Sequence, residues 1–170
     1  MRRATPPILI VTILAATASS LAIDVPQTRE EFVQAVASGK GAEIETLRVD
    51  VPLDRVYAVL QERTTACLDV EVKRTAYVGY VERSSSDYNP TLRRAGKDRA
   101  ELTLQVQHNP RGVGHTPPPG GLYMLAADLR SIDASHTEIV LYRPRIGVKP
   151  IVASLKEWFA GEPASCPKLR

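Results

Sequence analysis

The middle of the chain alternates apolar and polar residues with a period of two, in short segments that no helical pattern separates. Leu102, Leu104 and Val106 alternate with polar residues in the clearest of these segments. A period of two places neighbouring side chains on opposite faces of a β-strand. Strands that follow one another so closely pair mostly antiparallel, because a parallel pair needs a long crossover connection. The pattern therefore predicts an antiparallel sheet.

Other segments of this run lie at residues 68–80, 88–94, 122–130 and 137–142, and a separate strand is predicted earlier, at residues 44–51. Pro90 has no N–H to donate to a neighbouring strand, so residues 88–94 are expected at a sheet edge or at a bulge. Residues 115–121 contain three prolines and two glycines. We expect them to form a rigid loop over the mouth of the sheet, and a proline-rich recognition segment is the alternative.

Three helices are predicted around these strands. Thr28 and Glu31 have capping-box spacing, which predicts a short helix over residues 29–38. A second helix is expected to start at Pro52 or Asp54 and to end near residues 64–65. The C-terminal helix is marked by an apolar stripe at helical spacing, formed by Val148, Ile151, Val152, Leu155, Trp158 and Phe159.

The N-terminal 22 residues have the layout of a secretory signal peptide. Arg2 and Arg3 precede the apolar run 8–16, and small residues at 16–18 and 20–22 offer two cleavage frames. An uncleaved membrane anchor is the alternative, but a spanning helix needs roughly 20 predominantly apolar residues. We therefore expect export to the periplasm or the extracellular space, with no membrane span after cleavage.

Cleavage would leave residues 23–170, a length that fits a single domain. Without Arg2 and Arg3 the chain has 20 basic and 19 acidic residues, a net charge of +1 instead of +3. A nucleic-acid partner would require a clustered basic face. The sequence therefore predicts no nucleic-acid partner, and it leaves the oligomeric state open.

The chain has two cysteines, Cys67 and Cys166. In an oxidising compartment an even number of cysteines favours a disulfide, and here only one intramolecular pairing exists. Two unrelated thiols are the alternative. No metal site is expected, because neither cysteine has a second Cys or His at ligand spacing.

Together these elements predict an α+β fold, in which a curved antiparallel sheet wraps around a C-terminal amphipathic helix and a short extra helix precedes the sheet. The chain resembles the START-like (helix-grip) superfamily. The residues that carry the resemblance are the strand that ends in Val51-Pro52, the Val56-Tyr57 pair of the next helix and the apolar stripe of the last helix. The resemblance covers about residues 43–161, and it extends to uncharacterised exported bacterial proteins of this type.

The resemblance implies a cavity between the sheet and the last helix, suited to a lipid or another apolar small molecule. The alternative is that the same side chains fill an ordinary core. The candidate lining residues are Leu102, Leu104, Val106, His108, Tyr123, Leu125, Ile139, Leu141, Ile151, Val152 and Leu155.

No motif in the sequence marks a catalytic site or a cofactor. We therefore expect a non-catalytic binding protein. A structural or interaction protein of the cell envelope with a filled core is the second hypothesis. An enzyme is the third, and His108 and Tyr123 are the inward polar residues that it would use.

Overall fold

The computed structural model describes residues 25–39, 41–77, 79, 81–110, 116–162 and 164–169. The signal peptide predicted at residues 1–22 and the residue His115 lie outside these described residues. In chain order the elements are α1 (Arg29–Ser38), β1 (Ala42–Val49), α2 (Leu53–Cys67), β2 (Val70–Tyr77), β3 (Val81–Arg94), β4 (Arg99–Asn109), β5 (Leu122–Ser131), β6 (Thr137–Pro144) and α3 (Lys149–Phe159).

The six strands form one curved sheet in the order β1-β6-β5-β4-β3-β2, and every neighbouring pair is antiparallel. The predicted α+β class and the antiparallel sheet are confirmed. The order also explains the connection through α2. Because β1 and β2 lie at opposite edges, the chain has to cross one face of the sheet between them.

The strand expected at residues 68–80 is shorter, because β2 covers Val70–Tyr77, and the strand expected at residues 88–94 begins earlier, at Val81. β2 ends at Tyr77, and the chain turns back so that Tyr77 pairs with Val81. Gly79 lies in this turn with φ +81°, a conformation that favours glycine. The period-two pattern did not reveal the turn, because alternation continued across it.

Pro90 lies in β3, which has a neighbouring strand on each side along only part of its length. The pairing with β2 ends at Tyr88, whereas the pairing with β4 continues to Arg94. Pro90 is paired with Leu104 of β4 and lies beyond the end of β2. The missing N–H is therefore tolerated, because this part of β3 is locally an edge.

Helices α2 and α3 cover one face of the sheet and form the main core with it. Leu60 of α2, Leu155, Trp158 and Phe159 of α3 and Leu141 of β6 are all inaccessible to solvent. The apolar stripe predicted for the last helix is confirmed, and Val148 precedes the first helical residue. α2 extends to Cys67, beyond the predicted end near residues 64–65.

Helix α1 packs on the opposite face of the sheet. Phe32 and Val36 cover Ala126 of β5, and the ring of Phe32 stacks on that of Tyr123 at 5.6 Å between centroids. The Thr28 hydroxyl accepts a hydrogen bond from the Glu31 N–H, as the capping pattern predicted.

No helix within the described ranges is both long enough and apolar enough to cross a membrane.

Candidate functional site

Most of the predicted lining residues lie together in the core. Leu102, Leu104, Leu125, Ile139, Leu141 and Leu155 are inaccessible to solvent, and Val106, Ile151 and Val152 are at most 5 % exposed. All nine belong to the cluster that also contains Trp158 and Phe159. Their arrangement is that of a packed core, and Ile151 is the member of this set that lines the groove described below.

Tyr123 lies on the other face of the sheet, so its predicted position beside Leu125 and Leu155 is wrong. β4 pairs Leu104 with Leu125 but Gln105 with Tyr123, which leaves Met124 as an extra residue in β5. Such a bulge shifts the alternation by one residue. Tyr123 consequently packs against α1, where burial raises the pKa of its phenol and the nearby Glu30 contributes in the same direction.

His108 is exposed, although it continues the alternation of the buried residues before it. It lies near the end of β4, opposite Ser86 of β3, and its Nδ1 is 2.9 Å from the Ser86 hydroxyl oxygen. Tyr123 and His108 are thus on different faces of the sheet. The structure does not bring together the two polar groups that the enzyme hypothesis requires.

A groove of about 640 Å³ lies beside the core, between β3, the start of α3 and the C-terminal tail. Its floor is formed by Tyr88, Ile151 and Ser154, which are all buried. One rim is the start of α3, with Gly147, Lys149 and Pro150. The opposite wall is the tail, which contributes Ser165, Cys166, Pro167, Lys168 and Leu169.

The tail lies beside α3 because the chain reverses at Gly161. The φ of Gly161 is +79°, and its N–H donates to the Trp158 carbonyl. The Trp158 indole N–H then donates to the Ala164 carbonyl at 3.4 Å, and the Ser154 hydroxyl donates to the Ser165 carbonyl at 3.4 Å. Ser154 is 8 % exposed, because the tail covers it.

The predicted disulfide is confirmed and completes this wall. Cys166 of the tail is bonded to Cys67 at the end of α2, with 5.1 Å between their Cα atoms. Ala164 and Leu169 pack against the main core on either side of the bond. The groove therefore depends on the contacts that hold the tail against α3 and β3.

Tyr88 is the ionisable residue in the floor of the groove. Burial raises the pKa of its phenol, and the positive charge of Arg74 on β2 opposes that shift. Tyr88 is a neutral hydroxyl at physiological pH, because the ordinary pKa of tyrosine is already about 10 and burial raises it further. The sequence did not indicate Tyr88 as a site residue. The predicted pairing of Cys67 with Cys166 was the available signal, because it brings the tail to the beginning of β2, and β3 pairs with that end of β2 at Tyr88.

A second cluster of polar side chains lies in the turn between β5 and β6. His136 Nδ1 is 2.7 Å from a carboxylate oxygen of Asp133 and 3.0 Å from the Ser135 hydroxyl oxygen. A catalytic triad needs the serine and the carboxylate on opposite ring nitrogens. Both groups are on Nδ1 here, so the cluster is a turn-stabilising network rather than a triad.

Among the residues that the structure describes, no three His, Cys, Asp or Glu side chains are close enough together to hold a metal ion. Comparison of the chain with protein-family models, with curated proteins and with solved structures finds no match.

Proposed function

We propose that this protein is an exported, non-catalytic domain that binds an apolar small molecule or lipid in the groove between β3, α3 and the tail. The observation that carries the proposal is the groove itself. Its volume of about 640 Å³ is within the range of roughly 300–1,000 Å³ that ligand pockets occupy. Its described lining combines apolar side chains with a few polar groups, as ligand pockets do.

The START-like resemblance implies a ligand between the sheet and the last helix, but that space is packed, and the proposed groove lies at its edge, beside the start of α3. Export agrees with the disulfide, because such bonds persist in oxidising compartments. The ligand would lie at the N-terminal end of α3, since the middle of the helix is packed against the sheet by Leu155 and Trp158.

The test is native mass spectrometry of the protein purified from its own host. We expect the intact protein to carry an apolar compound that organic extraction removes. Ser165→Trp places a large side chain on the exposed wall of the groove and should abolish this extra mass. Ala134→Trp, in the exposed turn between β5 and β6, is the matched control and should retain it. A host-purified protein without any bound compound would exclude the proposal.

A second candidate is a structural or interaction protein of the cell envelope without a small-molecule ligand. It is favoured by the close packing between the sheet and α3 and by the exposed pair Tyr77 and Val81, which are 79 % and 57 % accessible at the end of the β2–β3 hairpin. Crosslinking in the host tests it. Partners that Tyr77→Ser and Val81→Ser remove, with no mass bound in the groove, would support this candidate over ligand binding.

A further inference from the structure

We propose that the groove selects a single-chain anionic amphiphile, whose alkyl chain lies on the floor and whose carboxylate lies between Lys149 and Lys168. This inference rests on the proposed function, and it adds the charge and the chemical class of the ligand.

The charge of the groove is the first argument. Lys149 lies at the first position of α3 and Lys168 lies in the tail, so positive charge borders the groove on both sides. Among the described lining residues there is no Asp or Glu. A ligand in this groove therefore meets two positive charges and no carboxylate of the lining.

The second argument is that both lysines are available. Neither Lys149 nor Lys168 has an ion pair or a hydrogen bond within the described part of the chain, and both are exposed. Lys156, on the same helix as Lys149, is different because its ammonium group binds the Glu45 carboxylate at 2.6 Å. The ammonium groups of the two lysines that border the groove are therefore available to bind an anion.

The floor supplies the complementary part of the site. Ile151 and Tyr88 are buried there, and Pro150, Pro167 and Leu169 add apolar surface to the lining. The Tyr88 phenol does not repel an anion, since a tyrosine is protonated and neutral at physiological pH. An apolar floor bordered by two cations matches an alkyl chain with one anionic end better than a neutral apolar molecule.

The test compares dodecanoate with dodecanol, two ligands with the same chain and different head groups. Isothermal titration calorimetry is carried out on the oxidised protein after organic extraction and refolding, with both ligands below their aggregation concentrations. We expect dodecanoate to bind about ten-fold more tightly than dodecanol, since two exposed ion pairs each contribute modestly. Raising the ionic strength should weaken dodecanoate binding and leave dodecanol binding unchanged.

Lys149→Gln and Lys168→Gln remove the two charges one at a time. Each variant should bind dodecanoate about two- to five-fold more weakly and dodecanol as before. Lys97→Gln is the matched control, because Lys97 is an exposed lysine in the β3–β4 turn, outside the groove. Far-ultraviolet circular dichroism verifies that all three variants are folded.

The possible outcomes separate this inference from the proposed function. Equal affinities for dodecanoate and dodecanol, or lysine variants that behave like Lys97→Gln, would overturn the charge selection and leave apolar binding in place. If the folded protein binds neither ligand and also carries no compound from its host, the proposed function fails and the inference fails with it. If a lysine variant does not fold, the effect of ionic strength on dodecanoate binding to the unmodified protein tests the charge selection.

Discussion

Cys166 of the C-terminal tail is bonded to Cys67 at the end of α2, 99 residues earlier in the chain, and this bond holds one wall of the groove against α3. Apart from this bond, the tail is attached by two long hydrogen bonds to α3, from Trp158 and Ser154, and by the packing of Ala164 and Leu169. The shape of the groove therefore depends on a covalent link to a different helix.

Removing the disulfide should destabilise the protein and release the tail. In the double variant Cys67→Ala, Cys166→Ala, we expect the free energy of unfolding in urea to fall by about 2–4 kcal/mol, because the unfolded chain regains the entropy of a long loop. The emission of Trp158, the only tryptophan, should shift to longer wavelength once the tail no longer covers it. The reduced unmodified protein should behave like the variant. Two reactive thiols in denatured, unreduced protein would contradict the bond.

The interface between α3 and the sheet should be the most sensitive apolar contact. Leu155 is inaccessible to solvent, so Leu155→Ala should lower the free energy of unfolding by about 2–5 kcal/mol through lost burial and an unfilled cavity. Ile146 in the loop before α3 is 79 % exposed, and Ile146→Ala should change stability by less than about 0.5 kcal/mol. Similar values for the two variants would mean that α3 is not packed as described.

Arg29 attaches α1 to the sheet through charge. Its guanidinium is 2.5 Å from the Asp128 carboxylate and 3.7 Å from that of Glu101, and the side chain of Arg29 is 14 % exposed. Arg29→Met keeps the aliphatic stem but leaves these carboxylates without this partner. We expect a loss of about 1–2 kcal/mol in unfolding free energy and faster amide exchange in residues 29–38.

The control for that prediction is the surface pair formed by Lys73 and Glu71. Their side chains are 76 % and 45 % exposed at an N–O distance of 3.0 Å. Lys73→Met should leave both the stability and the exchange of α1 unchanged, because exposed ion pairs contribute little. Unchanged exchange of α1 in Arg29→Met would show that packing of Phe32 alone holds the helix.

Stability in acid should depend on Asp133. The N–H of Ser135 and the ring of His136 hold the pKa of the Asp133 carboxyl well below its usual range. A folded-state pKa below the unfolded value of about 3.9 stabilises the protein fully above that pH. The stabilisation is lost as the pH falls toward the folded-state pKa. The stability difference between the unmodified protein and Asp133→Asn should therefore shrink as the pH falls below about 5.

Asp69→Asn serves as the reference for this comparison. The Asp69 side chain is exposed and takes part in no hydrogen bond or ion pair within the described residues. The difference in unfolding free energy between Asp69→Asn and the unmodified protein should not shrink in acid as it does for Asp133→Asn. An Asp133→Asn protein whose difference stays constant down to pH 2 would contradict the assignment; nuclear magnetic resonance titration of the Asp133 carboxyl carbon gives an independent check.

Much of the fold was predictable because its signals are local. The capping residues of α1, the apolar stripe of α3 and the alternation in β4 each lie within about a dozen consecutive residues. The disulfide was predictable for a different reason, since two cysteines allow one pairing. By contrast, the β2–β3 turn was hidden because alternation continues across Gly79.

The candidate site was less predictable because it depends on contacts between distant residues. Tyr123 was assigned to the wrong face because one extra residue at Met124 reverses the alternation of β5. His108 has the alternation of a buried residue, yet it lies beyond the region that the helices cover. Tyr88 and Lys168 are 80 residues apart in sequence, and no local pattern connects them.

The sequence by itself determined the fold class, the order of most elements and which two cysteines can pair, because periodicity, capping and cysteine number act over short stretches or by simple count. Only the tertiary structure decided that the predicted lining residues pack as a core and that a groove lies beside them. The physical reason is that the groove is the space left between the tail, α3 and β3, so its width depends on the distances between these segments. The reversal of the tail at Gly161, its bond to α2 and the position of β3 set that distance jointly.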